Sequence, residues 1–292
     1  MEFGRVITAM ITPFKEDDSP DLQKAGKLAK HLEANGSQGI VVSGTTGESP
    51  TLSKAEKLTL YEVVKEAVSD KTAVIAGTGS NSTSDSIVLT REAEAVGVDG
   101  IMAVVPYYNK PSQEGLYQHF KGIARATRLP VMVYNVPSRT AVNLLPETVK
   151  RLSEIENIVA IKEAANDVEQ ATEIKRICPA DFKIYSGNDS FTLPMLSLGG
   201  HGVVSVASHI VGNEILEMIS EFFAGNVARA SEINTRLLPV FKALFIASNP
   251  VPLKKAMNLL GFDVGNVRLP LVDMQEHEQK VLEKSLKEFG LI

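Results

Sequence analysis

The run Val131-Met132-Val133-Tyr134-Asn135-Val136-Pro137-Ser138-Arg139-Thr140, and the next such run, Ile158-Val159-Ala160-Ile161-Lys162-Glu163-Ala164, decide the fold. Each opens with a short apolar, β-branched segment that is too short for a helix and reads as a strand. Between them Pro146 suits the first turn of a helix. Working outward, apolar runs of the same kind begin near Val6, Ile40, Ala73, Ile101, Phe182 and Val203, which with the first two makes eight. The intervening segments carry apolar residues at helical spacing, as in Leu58, Tyr61, Val64 and Val68. Ser53 and Glu56 form a capping-box pair, and Asp21 and Ser82 suit helix starts. A βα unit repeated at intervals of roughly 20 to 35 residues predicts an α/β fold, a (β/α)8 TIM barrel over residues 1–223. The rest, residues 224–292, predicts a C-terminal helical extension with helices over about Val227–Ala247, Pro252–Leu260 and Gln275–Glu288.

Composition narrows the function. Hydrophobic residues make up 44% and charged residues 22% of the 292, enough to bury a core without disulfides or metal. A net charge of -5 leaves no cation excess for nucleic acid or an anionic membrane. Met1-Glu2-Phe3-Gly4-Arg5 lacks the start of a signal peptide, and no run of about 18 apolar residues occurs, so a cytoplasmic protein is expected. The single cysteine, Cys178, stands before Pro179 at a predicted helix end and reads as an inert, half-buried thiol. His31, His119, His201, His209 and His277 show no metal-ligand spacing, and Gly77-Thr78-Gly79 lacks the rest of a dinucleotide fingerprint.

In such a barrel chemistry gathers at the carboxyl ends of the strands. The second run ends in Gly44-Thr45-Thr46-Gly47-Glu48-Ser49, where glycines around two hydroxyls let backbone approach a ligand or make a plain turn. The fourth ends in Pro106-Tyr107-Tyr108-Asn109, with adjacent phenols that serve packing or chemistry. Tyr134 closes the fifth strand, and Arg139 in the following loop reads as a carboxylate clamp or a surface ion pair. Lys162 follows four apolar residues, so its ammonium is expected in a low-dielectric interior that disfavours the charged form. An amine of that kind condenses with carbonyls to a Schiff base, an electron sink for carbon–carbon bond chemistry. The competing readings are a rim lysine or one paired with Glu163. Tyr134 should face the same mouth, where a phenol can shuttle protons. The last two runs close on Ser186-Gly187-Asn188-Asp189 and on Val203-Val204-Ser205-Val206-Ala207-Ser208, leaving room for a small substrate. The cluster Gly199-Gly200-His201-Gly202 precedes the eighth run, which argues against a sugar phosphate.

The lysine, the tyrosine and the Gly-Thr-Thr-Gly-Glu loop together resemble the pyruvate-dependent class I aldolase superfamily, and within it the dihydrodipicolinate synthase family. The resemblance runs from Thr8-Ala9-Met10-Ile11-Thr12-Pro13-Phe14 to Val267-Arg268-Leu269-Pro270-Leu271. It implies a lyase in which Lys162 forms a Schiff base with pyruvate and Tyr134, Thr45 and Tyr108 relay protons, Tyr108 reaching into a neighbouring subunit. It implies that Thr46 and Val204 hold pyruvate, beside the space left at Gly187. Arg139 would bind the carboxylate of L-aspartate 4-semialdehyde. The expected product is 4-hydroxy-tetrahydrodipicolinate, in the first committed step of the diaminopimelate route to lysine. No organic or metal cofactor is implied, since the amine is the electron sink, and a homo-oligomer is expected, a dimer or a dimer of dimers.

The resemblance also implies a lysine-binding allosteric site at Ser49, Asn81, Asp85 and Tyr107. Positions that are often histidine in inhibited members are Lys54 and Lys57 here, and two cations beside an incoming ammonium predict weak or absent lysine inhibition. Two other readings stand beside the synthase. An N-acetylneuraminate lyase or 2-keto-3-deoxy sugar-acid aldolase shares Lys162 and Tyr134, whereas the Thr45-Thr46 pair and the Ser138-Arg139-Thr140 loop favour the synthase, since a second substrate bearing a carboxylate explains the arginine. A non-catalytic keto-acid-binding barrel would predict a damaged site, which the sequence does not show.

Overall fold

The computed structural model describes residues 3–292, so Met1 and Glu2 of the segment Met1–Arg5 lie outside the described residues. Parallel strands β1 (Val6–Ala9), β2 (Gly39–Val42), β3 (Ala73–Gly77), β4 (Gly100–Val104), β5 (Val131–Asn135), β6 (Ile158–Glu163), β7 (Lys183–Ser186) and β8 (Gly202–Ser205) form a closed barrel in chain order. Closure comes from β8 pairing with β1, Val203 opposite Val6 and Val204 opposite Ile7. All eight begin within a residue of the predicted starts.

Helices α1 (Leu22–Ala34), α2 (Lys54–Ala67), α3 (Thr83–Val96), α4 (Gln113–Ala124), α5 (Pro137–Thr140), α6 (Pro146–Ser153), α7 (Val168–Ile177), α8 (Thr192–Ser197) and α9 (Ser208–Phe223) connect or follow the strands. Their starts are fixed locally, as the sequence predicts. The Ser53 and Glu56 side chains cap each other's backbone N–H at α2. Asp21 accepts from the Lys24 N–H at α1 and Ser82 from the Asp85 N–H at α3. Helix α9 is broken at Val211, whose φ of -136° is non-helical. Cys178 ends α7, half-buried, and burial pushes its thiol pKa up, as expected of an inert thiol.

Alternation along the strands sorts the core into two layers. Ile7, Val41, Ile75, Met102, Met132, Ala160, Tyr185 and Val204 fill the barrel interior. Val6, Val42, Val74, Val133, Ile161 and Val203 face the helices, packing with residues such as Leu28, Tyr61 and Phe120. Strand β6 breaks the alternation once: Val131 pairs with Ile158 but Met132 with Ala160, so Val159 is an extra residue, a bulge. Above it the register is regular and sets Tyr134 beside Lys162.

After α9 come α10 (Val227–Ala243), α11 (Val251–Leu259) and α12 (Glu276–Phe289). Helix α10 packs on α9 and α12, and Leu237, Met257, Leu282 and Leu286 are buried in the same apolar cluster as Val6. Helix α10 ends earlier than predicted, at Ala243, and the segment between α10 and α11 turns toward the barrel mouth.

Candidate active site

Lys162 lies on β6 with only 5% of its surface exposed. Burial lowers its amine pKa to about 7; the Asp189 charge opposes this shift and the Arg139 guanidinium adds to it. Its Nζ lies 4.2 Å from the centre of the Tyr134 ring. Glu163 points the other way. Its carboxylate accepts from Asn135 Nδ2 at 3.0 and 3.1 Å, from Gln170 Nε2 at 3.1 Å and from the Ala165 N–H at 2.6 Å. The rim-lysine and Lys162–Glu163 readings are therefore both wrong, because neighbouring residues on a strand face opposite sides.

Tyr134, the last residue but one of β5, lies inside the barrel, where burial raises its phenol pKa. A hydrogen bond with Thr45 and the nearby Arg139 charge partly offset that rise. Thr45 and Thr46 sit in the turn after β2, where the Ser49 N–H donates to the Gly44 carbonyl at 3.2 Å and the Glu48 N–H to the Thr45 carbonyl at 3.1 Å. Gly47 serves the protein rather than a ligand: a side chain there would come within 3.0 Å of the Met10 carbonyl. Gly187 is needed in the same way, since a Cβ would lie 2.6 Å from that of Ala164.

A cavity of about 190 Å³ joins these parts. Lys162, Tyr134, Thr45, Thr46, Arg139 and Gly187 all line it. A second hollow of about 230 Å³ shares Thr45, Tyr134 and Arg139 and extends to Ser49 and Tyr107. Two non-glycine residues in the left-handed region line these hollows, Ser43 the second and Asn166 the first. Such strain collects where loops are held for function.

Some residues fall elsewhere. Val204 packs in the barrel interior and does not line the cavity; Val206, two residues on, supplies the apolar wall from that strand end. Tyr108 is 90% exposed and touches neither hollow. Ser49 and Tyr107 share the second hollow, whereas Asp85 is exposed on the first turn of α3 and Asn81 is occupied by accepting from Asn109 at its carbonyl. Lys54 is paired with Glu92 at 2.7 Å, and burial lowers the pKa of Lys57.

Sequence reasoning missed three contributors. Asp189, buried, accepts from the Ser205 hydroxyl and from the Val206 and Ala207 N–H groups, both at 3.1 Å. Phe245 and Asn249 line the cavity from the segment joining α10 and α11, and Asn249 Nδ2 donates to the Thr46 hydroxyl at 2.9 Å. Two buried histidines have structural partners: His209 accepts from the Ile11 N–H, and His119 meets the Thr83 hydroxyl. Among the described residues there is no group of side chains suited to a metal ion and no helix long and apolar enough to cross a membrane.

Residues 2–289 match the Dihydrodipicolinate synthetase family. A relative from Moorella thermoacetica, named 4-hydroxy-tetrahydrodipicolinate synthase, is 56% identical over the whole of both chains. Another of that name, from Desulforamulus reducens, is 57% identical and covers 100% of this chain and 99% of its own. The crystal structure of the enzyme from Cyanidioschyzon merolae with lysine bound superposes with a TM-score of 0.98 at 49% identity, covering 99% of each chain. Agreement of this kind over barrel and C-terminal helices alike leaves one conclusion: the chain belongs to the dihydrodipicolinate synthetase family.

Proposed function

We propose that Lys162 carries the 4-hydroxy-tetrahydrodipicolinate synthase reaction as its nucleophilic amine, joining pyruvate to L-aspartate 4-semialdehyde. The observation that supports this reading most is the burial of Lys162 among apolar walls, which brings its amine pKa to about 7 and leaves much of it uncharged at neutral pH. The amine attacks the pyruvate carbonyl, and loss of water gives an imine. Tyr134, whose ring lies beside the amine, and Thr45, bonded to the phenol, supply and remove the protons of those steps. Thr46 and Gly187 border the space for the keto acid. Arg139, at the exposed end of the same cavity, suits the carboxylate of the second substrate. The enamine adds to the aldehyde, and the substrate's own amino group then displaces Lys162 as the ring closes. The exposed Tyr108 phenol suits insertion into a second copy of the chain, as a homo-oligomer in the cytoplasm would allow. The proposed chemistry draws on no metal or organic cofactor.

Borohydride reduction in the presence of pyruvate tests the assignment. Intact-mass and peptide analysis should find the reduced pyruvate adduct on Lys162, and a protein left unlabelled under turnover conditions would defeat the mechanism. Comparing pyruvate consumption with aspartate semialdehyde against cleavage of sialic acid separates the synthase from its lyase relatives.

A further inference from the structure

The C-terminal helices reach the hydroxyl loop through a second, deeper contact. Lys254 on α11 and Glu48 in the loop after β2 have side chains only 2% and 1% exposed, with Nζ and Oε1 2.7 Å apart. Lys254 also donates to the Asn266 carbonyl at 2.7 Å and lies 4.0 Å from the Phe14 ring centre. The second oxygen of Glu48 accepts from the Arg268 N–H at 2.9 Å. The Arg268 guanidinium covers the same Phe14 ring at 4.4 Å and donates to the Thr51 carbonyl at 2.7 Å.

Stability alone is a poor reason for this arrangement. A buried ion pair generally contributes no more than apolar side chains of equal volume, and Glu48 is held at a φ of 56°, which costs a non-glycine residue energy. Its position explains more. The Glu48 N–H donates to the Thr45 carbonyl, so the place of Glu48 sets the place of Thr45. Five residues before Lys254, Asn249 holds the Thr46 hydroxyl. One stretch of the C-terminal region therefore grips the loop on both sides of Gly47.

We propose that Glu48 and Lys254 are positioning residues, a clamp by which the C-terminal helices hold Thr45 and Thr46 in reach of Tyr134 and Lys162. The inference rests on the roles given to those four residues above. Full-length Glu48→Gln, Lys254→Met and the double variant test it, each measured for kcat, KM for pyruvate, borohydride labelling of Lys162 and urea midpoint. Each single change should lower kcat at least tenfold, since a shift of about 1 Å in a catalytic group can cost about a hundredfold. The double variant, with no orphaned buried charge, should regain the wild-type urea midpoint yet keep the low kcat. A double variant with wild-type kcat would show the pair to be merely structural and overturn the clamp, as would full kcat in Glu48→Gln. Should a variant with Lys254→Met fail to fold, Glu48→Gln alone decides. Wild-type protein labelled at Lys162 is the control: its failure would refute the Schiff-base assignment rather than the clamp.

Discussion

The pH dependence of imine formation is the sharpest consequence of burying Lys162. With an amine pKa of about 7, about half of the enzyme carries the free amine at pH 7. An unperturbed lysine with a pKa of roughly 10.5 would present roughly one molecule in three thousand. The perturbation is a titration from pH 5.5 to 10 under saturating pyruvate, with the imine trapped by borohydride in a single turnover and read by intact mass. The trapping rate should climb about tenfold per pH unit below pH 7 and level off above it, within about one unit of that midpoint. Removing a nearby positive charge should move the midpoint in a known direction. The Arg139 guanidinium lowers the Lys162 pKa, so Arg139→Ala should shift the rise to higher pH. A rate that still grows tenfold per unit at pH 9 would refute the reasoning, because the amine would then be behaving as a solvated one.

Lys162→Met should stabilise the fold: the pKa falls from 10.5 to about 7 on burial, which at 1.36 kcal/mol per unit amounts to about 2 to 5 kcal/mol. The folded-state value lies below the unfolded one, so this gain should be full below pH 7 and fade as pH approaches about 10; urea midpoints across that range check it, and a gain constant with pH would contradict it. In Arg139→Ala the KM for aspartate semialdehyde should rise roughly 10- to 100-fold, the worth of charge-assisted hydrogen bonds, with little change in pyruvate KM under steady-state assay. Lysine should inhibit weakly or not at all, since Lys54, held by Glu92, and Lys57 offer an incoming ammonium no neutral acceptor, and half-inhibition in the submillimolar range would count against that argument.

Much of the fold could be read from the chain because it is written locally. The eight apolar runs, the Ser53 and Glu56 cap and Pro146 each depend on neighbours a few residues away. The heart of the site was legible for a related reason: Lys162, Tyr134 and the Thr45-Thr46 turn stand at the ends of β6, β5 and β2, and barrel geometry brings strand ends together. What stayed hidden depends on contacts distant in sequence. Asn249 reaches Thr46 across about two hundred residues, and nothing beside Asn249 announces it. Asp189 reads as one more polar residue in a turn until the end of β8 folds over it. Val204 against Val206 is a question of depth along one strand, which motif matching does not resolve.

The bulge at Val159 bears on how this barrel can change over time. In an unbroken strand Ile158 and Lys162, four residues apart, would share a face, yet Ile158 packs toward the helices and Lys162 faces the interior. The extra residue is absorbed at the base of the strand, and the pairing of Met132 with Ala160 and Tyr134 with Lys162 is kept above it. Losing Val159 would simply restore regular alternation beneath an unchanged mouth. Lineages can therefore gain or shed a residue at this point without turning the reactive amine outward, so the floor of the barrel can drift while its chemistry stays in place.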